Sequence, residues 1–444
     1  MKRELTSGSV MKNLLFFSLP YLLSFFLQTL YGMADLLIIG QFGGVADTTA
    51  VSVGSQVMHM LTVMIVGLAM GATVNIGQAI GGRDNRRAAL FTGNTVTLFM
   101  GLSVTLTLLL LILRSAIVSA VSTPADAAAG TGDYLTICFI GIPFITAYNI
   151  ISAVFRGMGD SKSPMYFIAA ACAANIALDY LFIGALGMGP AGAALGTTLS
   201  QAVSVVISLI FAKRRKADFA LKKADLKPDK QITGKILKIG VPVAMQDGFI
   251  QIAFMVITVI ANRRGLNDAA AVGIVEKIIG FLFLVPSSVL SAVSALGAQN
   301  IGAQKPYRAK KTLLYAIFIA AGFGGTVAVV MQFLSGGAVS LFTDSAAVIR
   351  LGGGYLRGYA WDCLFAGIHF AFSGYFCACG KSGISFMHNM IAILLVRIPG
   401  AYFMSSMFPE SLYPMGLATA AGSLLSAIIC AAAFIILIKK EKKA

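Results

Sequence analysis

The sequence predicts an all-α integral membrane protein, with twelve transmembrane helices in two six-helix lobes related by a parallel internal repeat. Three observations predict this fold class: an apolar composition, long apolar runs that recur down the whole chain, and the repeat itself. Of the 444 residues, 57% are hydrophobic and only 12% are charged, against roughly 25% charged residues in an ordinary soluble domain. Lipid is therefore the expected solvent for most of the surface.

The apolar runs are each long enough to cross about 30 Å of hydrocarbon as a helix. Runs that exceed the bilayer thickness indicate tilted or extended helices rather than additional spans. The predicted spans are 13–40, 50–81, 88–113, 134–156, 164–187, 191–212, 236–262, 269–301, 312–340, 349–378, 384–407 and 415–438.

The charge distribution predicts the orientation of these helices. A net charge of +16 is also typical of nucleic-acid binding, but here most Lys and Arg residues lie in short bridges between apolar runs. The positive-inside rule places such bridges, and above all the basic stretch at 213–238, in the cytoplasm. We therefore expect a multi-pass protein of the inner (cytoplasmic) membrane with both termini cytoplasmic, in contact with the lipid bilayer and not with nucleic acid.

An internal repeat divides the chain. The string Gln-Ala-Ile-Gly-Gly at 78–82 returns 221 residues later as Gln-Asn-Ile-Gly-Ala at 299–303, and Phe155 returns at the same distance as Phe376. Each unit holds six predicted helices, an even number, which gives a parallel repeat of the kind that supports alternating access in transporters. The predicted lobes are 1–212 and 236–444, joined by a basic cytoplasmic linker at 213–235.

Two acidic residues stand out in the amino-terminal lobe. Asp35 is the only charge in the first predicted span and Asp179 the only one in the fifth, and charges at membrane depth indicate function. Gln28 and Tyr31 share a helix face with Asp35, and Asn175 precedes Asp179 by one turn. At about 1.5 Å per residue, both carboxylates lie roughly 8–12 Å below the outer helix ends.

The chemistry of this pair leaves three interpretations. Carboxylates in a poorly hydrated pocket can take up a proton, and the same oxygens could hold a hard cation such as Na⁺. The pair could also be structural polar contacts between helices. A structural pair is harder to justify, because no cation lies deep within the first six helices to neutralise it.

The carboxyl-terminal lobe carries acids and bases that can pair with one another, so structural or gating ion pairs compete there with ion binding. This second polar set comprises Asp247, Glu276, Lys277, Asp362 and Arg397. His59, His369 and His388 are isolated in the sequence and are expected to be packed or interfacial. The glycine-rich string at 187–192 lacks the preceding strand of a nucleotide-binding motif, so it indicates a turn, and no cofactor or metal cluster is expected.

Several strings together resemble the multidrug and toxic compound extrusion (MATE) family over nearly the whole chain. They are Leu-Pro at 19–20, Ala-Asp-Leu-Leu-Ile-Ile-Gly at 34–40, Phe-Arg-Gly-Met-Gly-Asp at 155–160 and Gln-Asn-Ile-Gly-Ala at 299–303. The resemblance implies a monomeric antiporter, without enzymatic activity, that exports amphipathic, often cationic drugs in exchange for H⁺ or Na⁺. The coupling site that it implies consists of Tyr31, Asp35, Tyr134, Asn149, Asn175, Asp179 and Thr197.

The resemblance leaves open whether the second lobe also holds a cation site. Some family members use a carboxylate of the seventh helix and an aspartate of the tenth; Asp247 and Asp362 lie on those helices, but their register is not fixed by the sequence.

Two other functions compete with drug export. A flippase for lipid-linked saccharide precursors can share this architecture. It is expected to place cationic side chains in the central cleft to bind a pyrophosphate, and the amino-terminal half offers none there. A membrane-embedded enzyme could hold magnesium with Asn175 and Asp179, but it would need a second acidic cluster on a facing loop, which the sequence lacks.

Overall fold

The computed structural model describes residues 5–214 and 221–441, and within these ranges every regular element is a helix. The α-helices are α1 (Val10–Phe42), α2 (Val45–Gly81), α3 (Asn85–Ile112), α4 (Arg114–Ala120), α5 (Ala125–Gly157), α6 (Lys162–Asp179), α7 (Gly189–Arg214), α8 (Lys230–Asn262), α9 (Leu266–Leu282), α10 (Leu284–Gly302), α11 (Pro306–Ser340), α12 (Ala346–Ala378), α13 (Ser382–Ala392), α14 (Ile398–Met407) and α15 (Tyr413–Glu441).

The predicted fold class is confirmed. Eleven spans among the described residues are long and apolar enough to cross a membrane. The one predicted span not among these eleven is the tenth, 349–378, which forms α12, a helix of 33 residues that buries most of its length together with Asp362. Three predicted spans are interrupted, because π-helical turns follow α6 at Tyr180–Ala185 and α13 at Ile393–Arg397, and a turn at Phe283 separates α9 from α10.

The chain forms two compact units. Unit 1 contains Leu23–Gly240, and unit 2 contains Glu4–Leu22 and Val241–Ala444 as far as these ranges are described. Thus α1 begins in unit 2 and continues in unit 1, while α8 does the reverse. Each helix changes unit within three residues of an internal proline, Pro20 or Pro242, where a backbone hydrogen bond of the helix is missing. The lobe boundaries predicted from the repeat stay a prediction. The repeat compares stretches of sequence, whereas the two units are separated by which residues contact one another in the fold.

Glycines allow helices to approach closely inside each unit. In unit 1, a Cβ added to Gly71 of α2 would lie 2.2 Å from the carbonyl oxygen of Ile236, and one added to Gly240 would lie 2.3 Å from that of Leu68. The first part of α8 therefore packs backbone to backbone against α2. Small residues serve this purpose in membrane bundles, where close van der Waals packing replaces the hydrophobic drive.

Part of the predicted basic linker docks on unit 1. Residues 215–220 of the linker lie outside the described residues, but residues 222–229, here called the strap, follow the surface of α3. Asn94 donates from Nδ2 to the carbonyl oxygen of Asp225 (3.3 Å) and accepts at Oδ1 from the backbone N–H of Asp229 (2.7 Å). Thr97 donates to the carbonyl oxygen of Leu226 (2.7 Å). The strap is therefore a bound element of unit 1 and not only a solvated loop.

Asp225 fixes the strap through its side chain. The backbone N–H of Lys222 donates to the carboxylate at 2.9 Å, and Arg86 forms an ion pair with it. These interactions, the hydrogen bond first, lower the pKa of Asp225 below its usual value. A lowered pKa stabilises the docked strap above about pH 4, the ordinary value for Asp, and this contribution is lost as pH falls through the lowered pKa.

Gly93→Ala is expected to release the strap. A Cβ at this position would lie 2.2 Å from the carbonyl oxygen of Asp225, a backbone atom that cannot rotate away. Trypsin should then cleave after Lys222 and Lys223 several-fold faster than in the wild type, because cleavage requires the open form.

Gly101→Ala is the matched control. It lies on the same helix with no atom within 4 Å of the added Cβ, and it shares the gain in helix propensity. Equal cleavage rates in the two variants would contradict the docking of the strap.

In unit 2, the segment that precedes α1 is held in a comparable way. Residues 5–8, which precede α1, accept hydrogen bonds from Asn300 of α10 (3.5 Å, to Leu5) and from Lys305 between α10 and α11 (2.9 Å, to Thr6). Arg308 of α11 donates to the carbonyl oxygens of Ser7 and Gly8, each at 3.0 Å. In each unit, the segment before the first helix of a repeat is thus anchored by polar side chains.

Candidate functional site

The two acidic residues predicted from the sequence meet inside unit 1. Asp35 on α1 is 3% exposed, and Asp179, the last residue of α6, is fully buried. Their carboxyl groups interact directly with each other. Thr197 of α7 donates its hydroxyl to Oδ2 of Asp35 at 3.0 Å, so three helices converge on the pair.

Several polar atoms of the pair and of the neighbouring Asn175 have no hydrogen-bond partner among the described residues. Oδ1 of Asp35, both carboxylate oxygens of Asp179 and both amide atoms of Asn175 are buried without a hydrogen-bond partner among the described residues. No cationic side chain of the described chain is among the groups that interact with either aspartate. Buried polar atoms are paired in most proteins, and an exception calls for a specific explanation such as an ion.

Other side chains predicted for the site surround this pair. Tyr31 interacts with Asp35 and with Gln201. Tyr134 of α5 is 2% exposed and interacts with both Asp35 and Tyr31. Asn175 lies fully buried beside Asp35. The resulting cluster contains two acids and several neutral groups.

Two predicted residues have other partners. Asn149 is buried, but its Nδ2 donates to the carbonyl oxygen of Ile145 one turn back (2.9 Å). Gln28 interacts with the hydroxyl of Tyr148 on α5. Neither Gln28 nor Asn149 is among the described groups that interact most strongly with the two aspartates, although Gln28 shares a helix with Asp35.

Local backbone features place Asp179. The π-helical turn at Tyr180–Ala185 follows it directly, and such turns occur often at functional sites. Gly196 of α7 faces it: an added Cβ would lie 2.0 Å from Oδ1 of Asp179. The carboxylate occupies this place because residue 196 has no side chain.

Sequence reasoning missed Gly196 and Gln201. Gly196 closes a Gly-x-x-x-Gly string that begins at Gly192, a recognised signal for close helix packing. Gln201 follows Thr197 at i+4 and so shares its helix face, and its buried Oε1 has no hydrogen-bond partner among the described residues. Both signals were present on α7.

The second polar set is dispersed in unit 2. Asp362 of α12 and Arg397 form a buried ion pair (Oδ2 to Nη2, 2.6 Å). Glu276 of α9 accepts from the hydroxyl of Thr258 at 3.1 and 3.2 Å. Lys277 is exposed and forms no ion pair with a described residue, so of the acids and bases that the sequence allowed to pair, Asp362 and Arg397 do so. Asp247 is half-buried on α8, near Cys377.

Two of the three histidines, which stand alone in the sequence, are buried and lie in contact with each other. His369 and His388 pack in unit 2 with ring centroids 5.4 Å apart, and Ser373 lies 2.9 Å from Nε2 of His388. They are separated by a turn between α12 and α13, so the sequence distance concealed a contact that the helix hairpin creates.

Solved structures of other proteins superpose on this fold over nearly its full length. A MOP superfamily transporter from Pyrococcus furiosus superposes with a TM-score of 0.92 at 23% identity, covering 99% of this chain and 98% of the other. A MATE crystal structure in complex with MaL6 gives a TM-score of 0.91 at 23% identity, with 99% of each chain covered.

Curated relatives align over similar lengths. The "Probable multidrug resistance protein YpnP" of Bacillus subtilis is 29% identical over 89% of this chain and 88% of its own. The "Multidrug export protein MepA" of Staphylococcus aureus is 24% identical over 90% of this chain and 88% of its own.

The MatE family model matches the chain twice, at residues 20–181 and 242–403, which together make up more than half of it. The two matches also confirm the internal repeat that the sequence suggested. The chain belongs to the MatE family and is a multi-pass membrane transporter rather than an enzyme.

Proposed function

We propose that this protein is a secondary multidrug exporter that exchanges amphipathic, often cationic compounds for H⁺ or Na⁺ by alternating access. One observation carries the proposal: the buried pair Asp35 and Asp179, with three carboxylate oxygens that no described residue satisfies. The names of the relatives from Bacillus subtilis and Staphylococcus aureus support the drug substrate.

The carboxylate pair suits a mobile cation. Two adjacent negative charges in a buried site are costly unless they are neutralised. A proton shared between the carboxyl groups would do this, and so would a sodium ion held by oxygens of Asp35, Asp179 and Asn175, since hard cations prefer oxygen ligands. Either ion would occupy a site whose protein oxygens are already in place.

Coupling follows if cation and drug favour different conformations. Loading Asp35 and Asp179 would change the packing of α1 against α6 and α7 and lower the affinity for drug, so drug leaves outward and the loaded carrier turns inward. A ligand shifts such an equilibrium only by its differential affinity for the two states. One charge moving with a potential of 100 mV supplies about 2.3 kcal/mol, enough for a useful drug gradient.

The proposal includes an orientation and an assembly state. Both termini lie in the cytoplasm, as the basic bridges indicate, and the strap with Arg86 then lies on the same side. The carboxylate pair belongs to one unit of one chain, so a monomer suffices for coupling.

The proposal is tested by measuring the efflux of a fluorescent cationic dye from vesicles in which the protein has a known orientation. We expect a proton gradient or a sodium gradient, imposed separately, to drive dye movement in the wild type and not in Asp35→Asn. Dye movement that is equal in both proteins would contradict the role of the pair. If neither gradient moves dye, the same vesicles would be tested with a fluorescent lipid-linked saccharide, because a flippase is the alternative with this architecture.

A further inference from the structure

The two halves of the repeat treat their buried charges differently. The family model starts at 20 and 242 and ends at 181 and 403, a shift of 222 residues at both ends. This shift places Ile257 and Ala401 at the positions of Asp35 and Asp179, and both are buried and apolar. Unit 2 therefore lacks the carboxylate pair at the equivalent place.

The same shift places Arg397 at the position of Asn175. A shift of 221, which relates Phe155 to Phe376 on the preceding helix, places Asp362 at the position of Gly141. Unit 2 thus has one carboxylate, on the helix equivalent to α5, and a guanidinium at the position where unit 1 has the amide of Asn175.

The ion pair in unit 2 is closed to solvent. Asp362 is fully buried and Arg397 is 8% exposed, with 2.6 Å between Nη2 and Oδ2. Ser423 of α15 is a polar neighbour of the carboxylate, and Gly141, the residue at the equivalent position of unit 1, packs against Thr198 of α7. Arginine stays protonated in proteins, so this carboxylate is neutralised permanently.

We propose that Arg397 is a built-in cation, which takes in unit 2 the place that a transported H⁺ or Na⁺ takes in unit 1. The proposal rests on the function proposed above and adds that only one unit exchanges a cation with the medium. Asp362 would become a second exchangeable site if the guanidinium were removed. The groups that interact with this pair are Tyr355, Tyr359 and His369 of α12, Phe254 of α8 and Ser423 of α15. Glu276 of α9 interacts with the two tyrosines.

Removing Arg397 is predicted to make the thermal stability of the protein depend on a cation. In Arg397→Gln, Asp362 keeps its burial and its neighbour Ser423 but has no guanidinium, so a proton or sodium ion must neutralise it. The thermal unfolding midpoint of the purified protein should then rise with Na⁺ or with acidification, by about 1–2 °C for each tenfold increase in the concentration of the ion.

The experiment is performed in an Asp35→Asn background, which silences the site in unit 1. Asp35→Asn alone is expected to show no dependence on Na⁺. Asp35→Asn with Arg397→Gln is expected to be stabilised by Na⁺, or to be stabilised by acid more strongly than Asp35→Asn alone. Adding Asp362→Asn should abolish the gained dependence, and Arg397→Lys in place of Arg397→Gln should not create it.

Two results would overturn the proposal. One is an unfolding midpoint in the Arg397→Gln protein that is insensitive to both ions. The other is a protein that cannot be recovered folded at any pH or Na⁺ concentration although the form that also carries Asp362→Asn folds, because a mobile cation then cannot replace Arg397. Failure of the function proposed above would appear instead as equal transport by the wild type and Asp35→Asn.

Discussion

Gly196→Ala is expected to remove cation-coupled drug export although it changes no charge and no polar group. The added Cβ would lie 2.0 Å from Oδ1 of Asp179, so the carboxylate must leave its position beside Asp35. Coupling between two ligands is typically worth about 5- to 150-fold in affinity, and we expect this factor to fall to near one. The rate of gradient-driven dye efflux, normalised to protein in the vesicles, measures the loss.

Gly101→Ala on α3 is again the control, because its Cβ meets nothing within 4 Å. Thermal unfolding of both variants shows whether Gly196→Ala still folds. Folded Gly196→Ala protein that exports dye at the wild-type rate would contradict the placement of Asp179 in the coupling site.

Asp362→Asn is expected to have the largest effect on stability. It leaves the guanidinium of Arg397 buried without a counter-charge, and breaking a buried pair from one side costs about 3–5 kcal/mol. Arg397 cannot escape the cost by losing its proton, whereas Asp362 in Arg397→Gln can gain one. Asp362→Asn should therefore unfold at a lower temperature than Arg397→Gln in mildly acidic, Na⁺-containing buffer.

The double variant Asp362→Leu with Arg397→Met provides the comparison. Apolar replacement of both partners of a buried pair is often neutral or stabilising, so its unfolding midpoint should lie near that of the wild type. A midpoint for Asp362→Asn that equals the wild type would contradict the prediction, because it would show that the buried guanidinium of Arg397 does not depend on Asp362 for neutralisation.

The fold class was predictable because its causes are local. Length and apolarity decide whether a run spans the bilayer, and eleven of the predicted spans meet both conditions in the described residues. Asp35 and Asp179 were predictable for the same reason, because a lone carboxylate in an apolar run is costly.

The remaining features depend on contacts between distant parts of the chain. The ion pair of Asp362 and Arg397 and the contact of His369 with His388 form only when α12 and the α13 region pack together. The π-helical turn after Asp179 has no sequence signature comparable to a cap or a proline. Gln28 illustrates the limit of periodicity, because a shared helix face with Asp35 did not prevent its side chain from bonding Tyr148.

The measurement that tests the central claim most directly is the affinity of the purified protein for a cationic dye as a function of pH and of Na⁺ concentration. If Asp35 and Asp179 hold the coupling cation, protons or Na⁺ should weaken dye binding by roughly 5- to 150-fold in the wild type, and Asp35→Asn should bind dye with an affinity that neither ion changes. A wild-type affinity that is independent of both ions, or an equal dependence in Asp35→Asn, would contradict the account.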